Sequence, residues 1–82
     1  MPERFTIIKT RRWGNTSIDI ATVASIERRT HNTDDAVRLA NNMMSNEKPS
    51  VNEEIEYEVI LSRENGTQEF IHRVDKKGTV SI

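Results

Sequence analysis

Between Glu54 and Leu61 polar and apolar residues alternate: Ile55, Tyr57, Val59 and Leu61 fall on one side, and Glu54, Glu56, Glu58 and Ile60 on the other. A period of two is the signature of a strand with one buried face. Glu64-Asn65-Gly66-Thr67 follows, and Asn-Gly is the preferred pair for a two-residue hairpin loop because both positions of a type I′ turn need positive φ. The return strand is then Thr67 to Val74. A two-residue loop sets Leu61 opposite Phe70, Val59 opposite His72 and Tyr57 opposite Val74 on the core face. On the far face it sets Ser62 against Glu69, Ile60 against Ile71 and Glu58 against Arg73.

The period changes upstream. Ala36, Val37, Leu39, Ala40, Met43 and Met44 follow helical spacing, with Asp34, Asp35, Arg38, Asn41 and Asn42 on the opposite side. Asn32 or Thr33 can cap this helix, and Glu47-Lys48-Pro49-Ser50 stops it. The crowded stretch "RRTHNTDDAV", residues 28–37, is thereby explained: two carboxylates in a first helical turn are favoured by the dipole and the free amides. Arg38, four residues after Asp34, is in reach of a helical ion pair.

In the first third, Phe5 and Ile7 share a face with Ile8 on the other, and Lys9, Arg11 and Arg12 continue a strand into solvent. Trp13-Gly14-Asn15-Thr16 is a turn. Ile18, Ile20, Thr22, Ala24 and Ile26 recur at alternate positions, and their β-branched content favours a second strand, although Ser17 could cap a competing helix. Asp75-Lys76-Lys77-Gly78 reads as a further turn, leaving Thr79 to Ile82 for a short fifth strand. The expected fold class is α+β: an antiparallel sheet of four to five strands with one helix packed on one face, in the order ββαββ, as a single domain over residues 1–82.

Composition narrows the function. A chain of 82 residues with 34 per cent hydrophobic and 30 per cent charged side chains builds a thin core, so a homodimer or a complex with a larger partner is expected. There is no cysteine, which suits a reducing compartment, and no apolar stretch of membrane-spanning length, so the expectation is a cytoplasmic protein without a membrane partner. Twelve basic and thirteen acidic residues nearly cancel, which argues against a general polyanion binder.

No constellation points to chemistry. His31 and His72 lack metal-ligand spacing, the serines have no glycine-rich elbow, and Glu53, Glu54, Glu56 and Glu58 read as a solvated strand face. No catalytic residue, metal or cofactor is assigned, and the enzyme class ranks last. A protein-binding surface is expected around Ile60 and Ile71, ringed by Glu58, Arg73 and Glu69 and extended by Ile8 and Val23 of the other hairpin. The rival reading takes Arg11, Arg12, Arg28 and Arg29, with Trp13 for stacking, as a nucleic-acid surface. That patch is split if Arg12 lies opposite the start of the second strand.

The opening strand "RFTIIK", the single capped helix "NTDDAVRLANNMM" and the hairpin "ENGTQEF" together resemble very small phage-encoded inhibitors of host defence, of the anti-CRISPR type. The resemblance lies in the order of elements over most of the chain. It implies stoichiometric binding to a larger protein or ribonucleoprotein complex, without chemistry.

Overall fold

A computed structural model of the chain describes residues 2–14 and 17–79. It holds β1 (Arg4–Trp13), β2 (Ser17–Glu27), α1 (Thr33–Ser45), β3 (Glu53–Ser62) and β4 (Gln68–Lys77). The strands form one antiparallel sheet in the order β2-β1-β3-β4. The fold is α+β with the helix on one face, as the alternation and the helical spacing require. Thr79 lies outside any strand, and a fifth strand over 80–82 falls outside the described residues.

The core lies between α1 and the inner face of the sheet. Phe5 and Ile7 of β1 and Ile55, Tyr57, Val59 and Leu61 of β3 are buried there beneath Ala36, Ala40 and Met44 of α1. Two alanines on the buried stripe let the helix approach closely, and Leu39 and Met43 fill its margins. Asn32 is the N-cap: its side chain accepts from the Asp35 amide at 2.8 Å, and Asp35 accepts in return from the Asn32 amide at 3.0 Å. Such a reciprocal box is worth roughly 0.5–2 kcal/mol. Arg38 pairs with Asp35 at 3.7 Å, one residue nearer than the Asp34 partner expected from spacing.

The β3–β4 hairpin corrects the expected register. Arg63 and Thr67 pair across the three residues Glu64, Asn65 and Gly66, with the Arg63 N–H donating to Thr67 O at 2.9 Å and the Gly66 N–H to Arg63 O at 2.9 Å. Of these three loop residues only Gly66 has positive φ, at 90°, so this is a type I turn closed by a glycine bulge. The Asn65 carboxamide accepts from the Thr67 amide and hydroxyl, and so rewards this loop. The longer loop slips the pairing by one: Ile60 faces Phe70, Leu61 faces Glu69 and Ser62 faces Gln68. A bulge that takes up Ile71 then restores the expected register, with Val59 opposite His72, Glu58 opposite Arg73 and Tyr57 opposite Val74.

Two further expectations are corrected. Asp75, Lys76 and Lys77 continue β4, because Glu56, Ile55 and Glu54 of β3 offer a full ladder to pair with. In β2 a bulge at Val23 switches the faces: Thr22 pairs with Ile8 and Ala24 with Ile7. Ala24 and Ile26 therefore pack on the core, while Ile18 and Ile20 turn to the opposite side. Among the described residues no helix is long and apolar enough to cross a membrane.

Candidate protein-binding surface

The second face of the sheet, away from α1, is lined by alternate residues whose neighbours follow from the register. Read from β2 to β4, Ile20 lies beside Thr10, Glu56 and Asp75; Thr22 beside Ile8, Glu58 and Arg73; and Ser25 beside Thr6, Ile60 and Phe70. Diagonal neighbours on a sheet stand about 7–8 Å apart, within reach of large side chains. Ile20, Ile8, Ile60 and Phe70 thus form a diagonal apolar run across all four strands. Ile20 is 65% exposed and Phe70 58%. Beyond Ile60 and Phe70 the face dips into a hollow of about 320 Å³ bounded by Arg4, Thr6, Ser62 and Gln68.

Of the residues expected at this surface, Ile60, Ile8, Glu58 and Arg73 lie on it, while Val23 falls in the β2 bulge without a register partner in β1. Ile71 does not lie on it: carried by the β4 bulge, it packs against the core, and Phe70 takes its place opposite Ile60. Glu69 lies opposite Leu61 on the helix side, where it pairs with Arg63 at 2.6 Å. Phe70, Ile18 and Ile20 are the apolar residues that sequence reasoning missed. All three omissions trace to the bulges in β2 and β4, which move a side chain to the other face without changing the local composition.

Charged residues flank the run, and several of them pair with one another. Glu56, only 7% exposed, contacts the Arg73 guanidinium and lies 3.8 Å from Arg12, so the arginines shield a carboxylate that strand alternation had assigned to solvent. Glu54 lies 3.7 Å from Arg12 and from Lys77. Glu53 turns to the helix side, buried against Arg11 at 2.7 Å.

The two arginine pairs are separated. Arg12 lies opposite Ile18 and Arg4 opposite Glu27, so Arg28 and Arg29 sit beyond the start of β1, roughly eight residues or 27 Å of strand from Arg12. Arg28 pairs with Glu3 at 2.6 Å, Arg29 with Glu27 at 3.2 Å and Arg11 with Glu53. The Arg11 guanidinium also lies over the Trp13 ring, 5.3 Å from its centroid. Each of these guanidiniums already faces a carboxylate, which weakens its attraction for a phosphate. The open hollow of about 410 Å³ between Arg28, Arg29, His31 and Asp35 is likewise bounded by groups already engaged, since Asp35 belongs to the helix cap.

Two acidic anchors hold the α1–β3 connection to the sheet. The Glu47 carboxylate accepts from the Tyr57 hydroxyl and contacts the Lys9 ammonium, while Lys76 donates to Glu47 O at 3.1 Å. Glu53 accepts from the Ser50 amide at 2.8 Å. Burial alone would raise the Glu47 pKa, but the bonds from Lys9 and Tyr57 lower it below its ordinary value. The Ser50 amide and Arg11 lower that of Glu53, and the Arg28 bond lowers that of Glu3. Burial, followed by the Glu47 carboxylate, raises that of the Tyr57 phenol. Three carboxyls with folded-state pKa below the unfolded value of 4.5 contribute stability that is present above about pH 4.5 and lost as pH falls through the lowered values. Urea midpoints measured from pH 7 down to pH 3 are expected to fall mainly below about pH 4.5, and Glu47→Gln should flatten part of that drop.

Comparison with protein-family models, with curated proteins and with solved structures finds no match to this chain.

Proposed function

We propose that the chain is a non-catalytic protein-binding module that holds a larger protein, free or within a ribonucleoprotein, on the uncovered face of its sheet. The observation that carries this reading is the diagonal Ile20–Ile8–Ile60–Phe70, an apolar line open at both ends and flanked by charge. An apolar centre with a polar rim is the anatomy of protein contacts, and an aromatic side chain brings about 150–250 Å² of buried surface to one. The hollow beside Phe70 would receive a partner side chain. Glu53 and Glu56, the buried carboxylates, are each engaged by arginine, which leaves neither poised as a general base.

Action by such a module is stoichiometric occupancy. The resemblance to inhibitors of the anti-CRISPR type fits this mode, and its support is the order of elements alone. A cytoplasmic setting is part of the proposal and rests on the cysteine-free composition.

The test is retention of a partner from a lysate of the source organism on the immobilised chain, compared with Phe70→Ser. The wild type is expected to retain a protein at a fixed ratio that Phe70→Ser loses, because central aromatic residues carry a disproportionate share of binding energy. Equal retention by both would remove this face from the binding site.

A further inference from the structure

We propose that a second copy of the chain pairs antiparallel with the free edge of β2, about a two-fold axis at Ile20, to make one eight-stranded sheet. The two edges of the sheet differ in a way that selects this one. Along β4 the edge carries Glu69, Arg73, Asp75, Lys76 and Lys77 and is broken by the Ile71 bulge. Charges and bulges of this kind are what keep sheet edges from pairing. On β2 the stretch Ser17–Val23 carries one charge, Asp19, has no proline, and runs in register with β1 from Trp13–Ser17 to Ile8–Thr22 before the bulge at Val23. All seven of these residues are exposed, and α1 packs instead on β1, β3 and β4.

Register follows from alternation. When two copies share one continuous sheet, a residue on the open face must meet another on that face, so the axis has to pass through a residue paired with itself. At Asp19 that would oppose two carboxylates, which is unfavourable. At Ala21 it would run the pairing into the bulge. At Ile20 the stretch Ser17–Val23 matches itself end to end: Ile20 meets Ile20 of the second copy, Ile18 meets its Thr22, and Asp19 meets its Ala21. Both apolar diagonals then join through the paired Ile20 side chains into one surface crossing eight strands. The inner side of the seam carries Ser17, Asp19, Ala21 and Val23, all exposed, and α1 packs on the other strands, so neither helix obstructs the approach. Seven residues per copy make a small interface, for which a dissociation constant in the micromolar range, on the order of 1–100 μM, is expected.

The experiment is sedimentation equilibrium of the wild type, Ile20→Lys, Ile20→Asp and an equimolar mixture of the two variants. Ile20 is 65% exposed, so at concentrations where the wild type is monomeric circular dichroism and melting should match it for both variants. The wild type is expected to reach twice 9.5 kDa with rising concentration. Each variant alone should stay at the monomer mass, because like charges meet at the axis, and the mixture should recover the dimer, because opposite charges then meet. Amide exchange over Ser17–Val23 should slow as wild-type concentration rises, which needs no variant. A wild type that remains monomeric near millimolar concentration overturns the proposal. Single variants that still dimerise, or a mixture that does not, overturn the axis at Ile20. Dimerisation unchanged by Phe70→Ser keeps this result separate from partner binding.

Discussion

Phe5→Ala is expected to cost about 3–5 kcal/mol of folding stability, the usual loss when an aromatic ring is removed from a packed core. Phe5 is fully buried, between Ile26 of β2 and Leu61 of β3 in the sheet ladder. An 82-residue domain has only about 4–12 kcal/mol in total at the usual stability per residue. Equilibrium urea unfolding should show the midpoint fall by a large part of its range, with the cooperative transition weakened or gone. A loss of under about 1 kcal/mol would mean that the core sits elsewhere.

Gly78→Ala should be the most damaging change outside the core. A Cβ there would lie 1.9 Å from Ser50 O and 3.0 Å from Pro49 O, too close for any side chain, and the obstruction is backbone. Gly78 and its neighbour close the α1–β3 connection onto the end of β4: the Gly78 N–H donates to Glu53 O at 2.8 Å and the Asn52 N–H to Thr79 O at 3.0 Å. Forcing these segments apart is expected to cost about 1–3 kcal/mol, the range for overpacking. The amides of Asn52 and Gly78 should exchange faster while those of β1 stay protected. Unchanged exchange at both amides would contradict this account of the glycine.

Much of the fold is legible in the residues. The alternation of β3 and the helical spacing with its Asn32 cap are strong local signals, and the apolar residues each assigns to the core, Val37 aside, are packed in it or against it. Pairing below Ile71 was also readable, although for a partly compensating reason: a three-residue loop displaces the register by one, and the bulge displaces it back. What could not be read was which face a residue takes beyond a bulge. Composition near Phe70 and Ile71 is the same whichever of them faces the helix, and only the turn geometry at Asn65 decides. Val23 poses the same problem in β2, where an unbroken alternation of Ile18, Ile20, Thr22, Ala24 and Ile26 conceals a change of side. Glu56 shows a third limit, since its burial depends on Arg12 and Arg73 from two other strands. Alternation thus places Ile60 and Glu58 of β3 on the open face, as the structure has them, whereas Ile71 and Glu69 of β4 lie on the helix side.

Central to the account is that the open face is spare to the fold and so free for a partner. The most direct measurement is the unfolding free energy of Phe70→Ser beside Ile71→Ser, two adjacent residues that the bulge sends to opposite sides. Phe70→Ser is expected within about 0.5 kcal/mol of the wild type, as for an ordinary surface substitution, and Ile71→Ser about 1–3 kcal/mol below it. The reverse order, with Phe70→Ser the more damaging, would place Phe70 in the core and contradict the proposed surface.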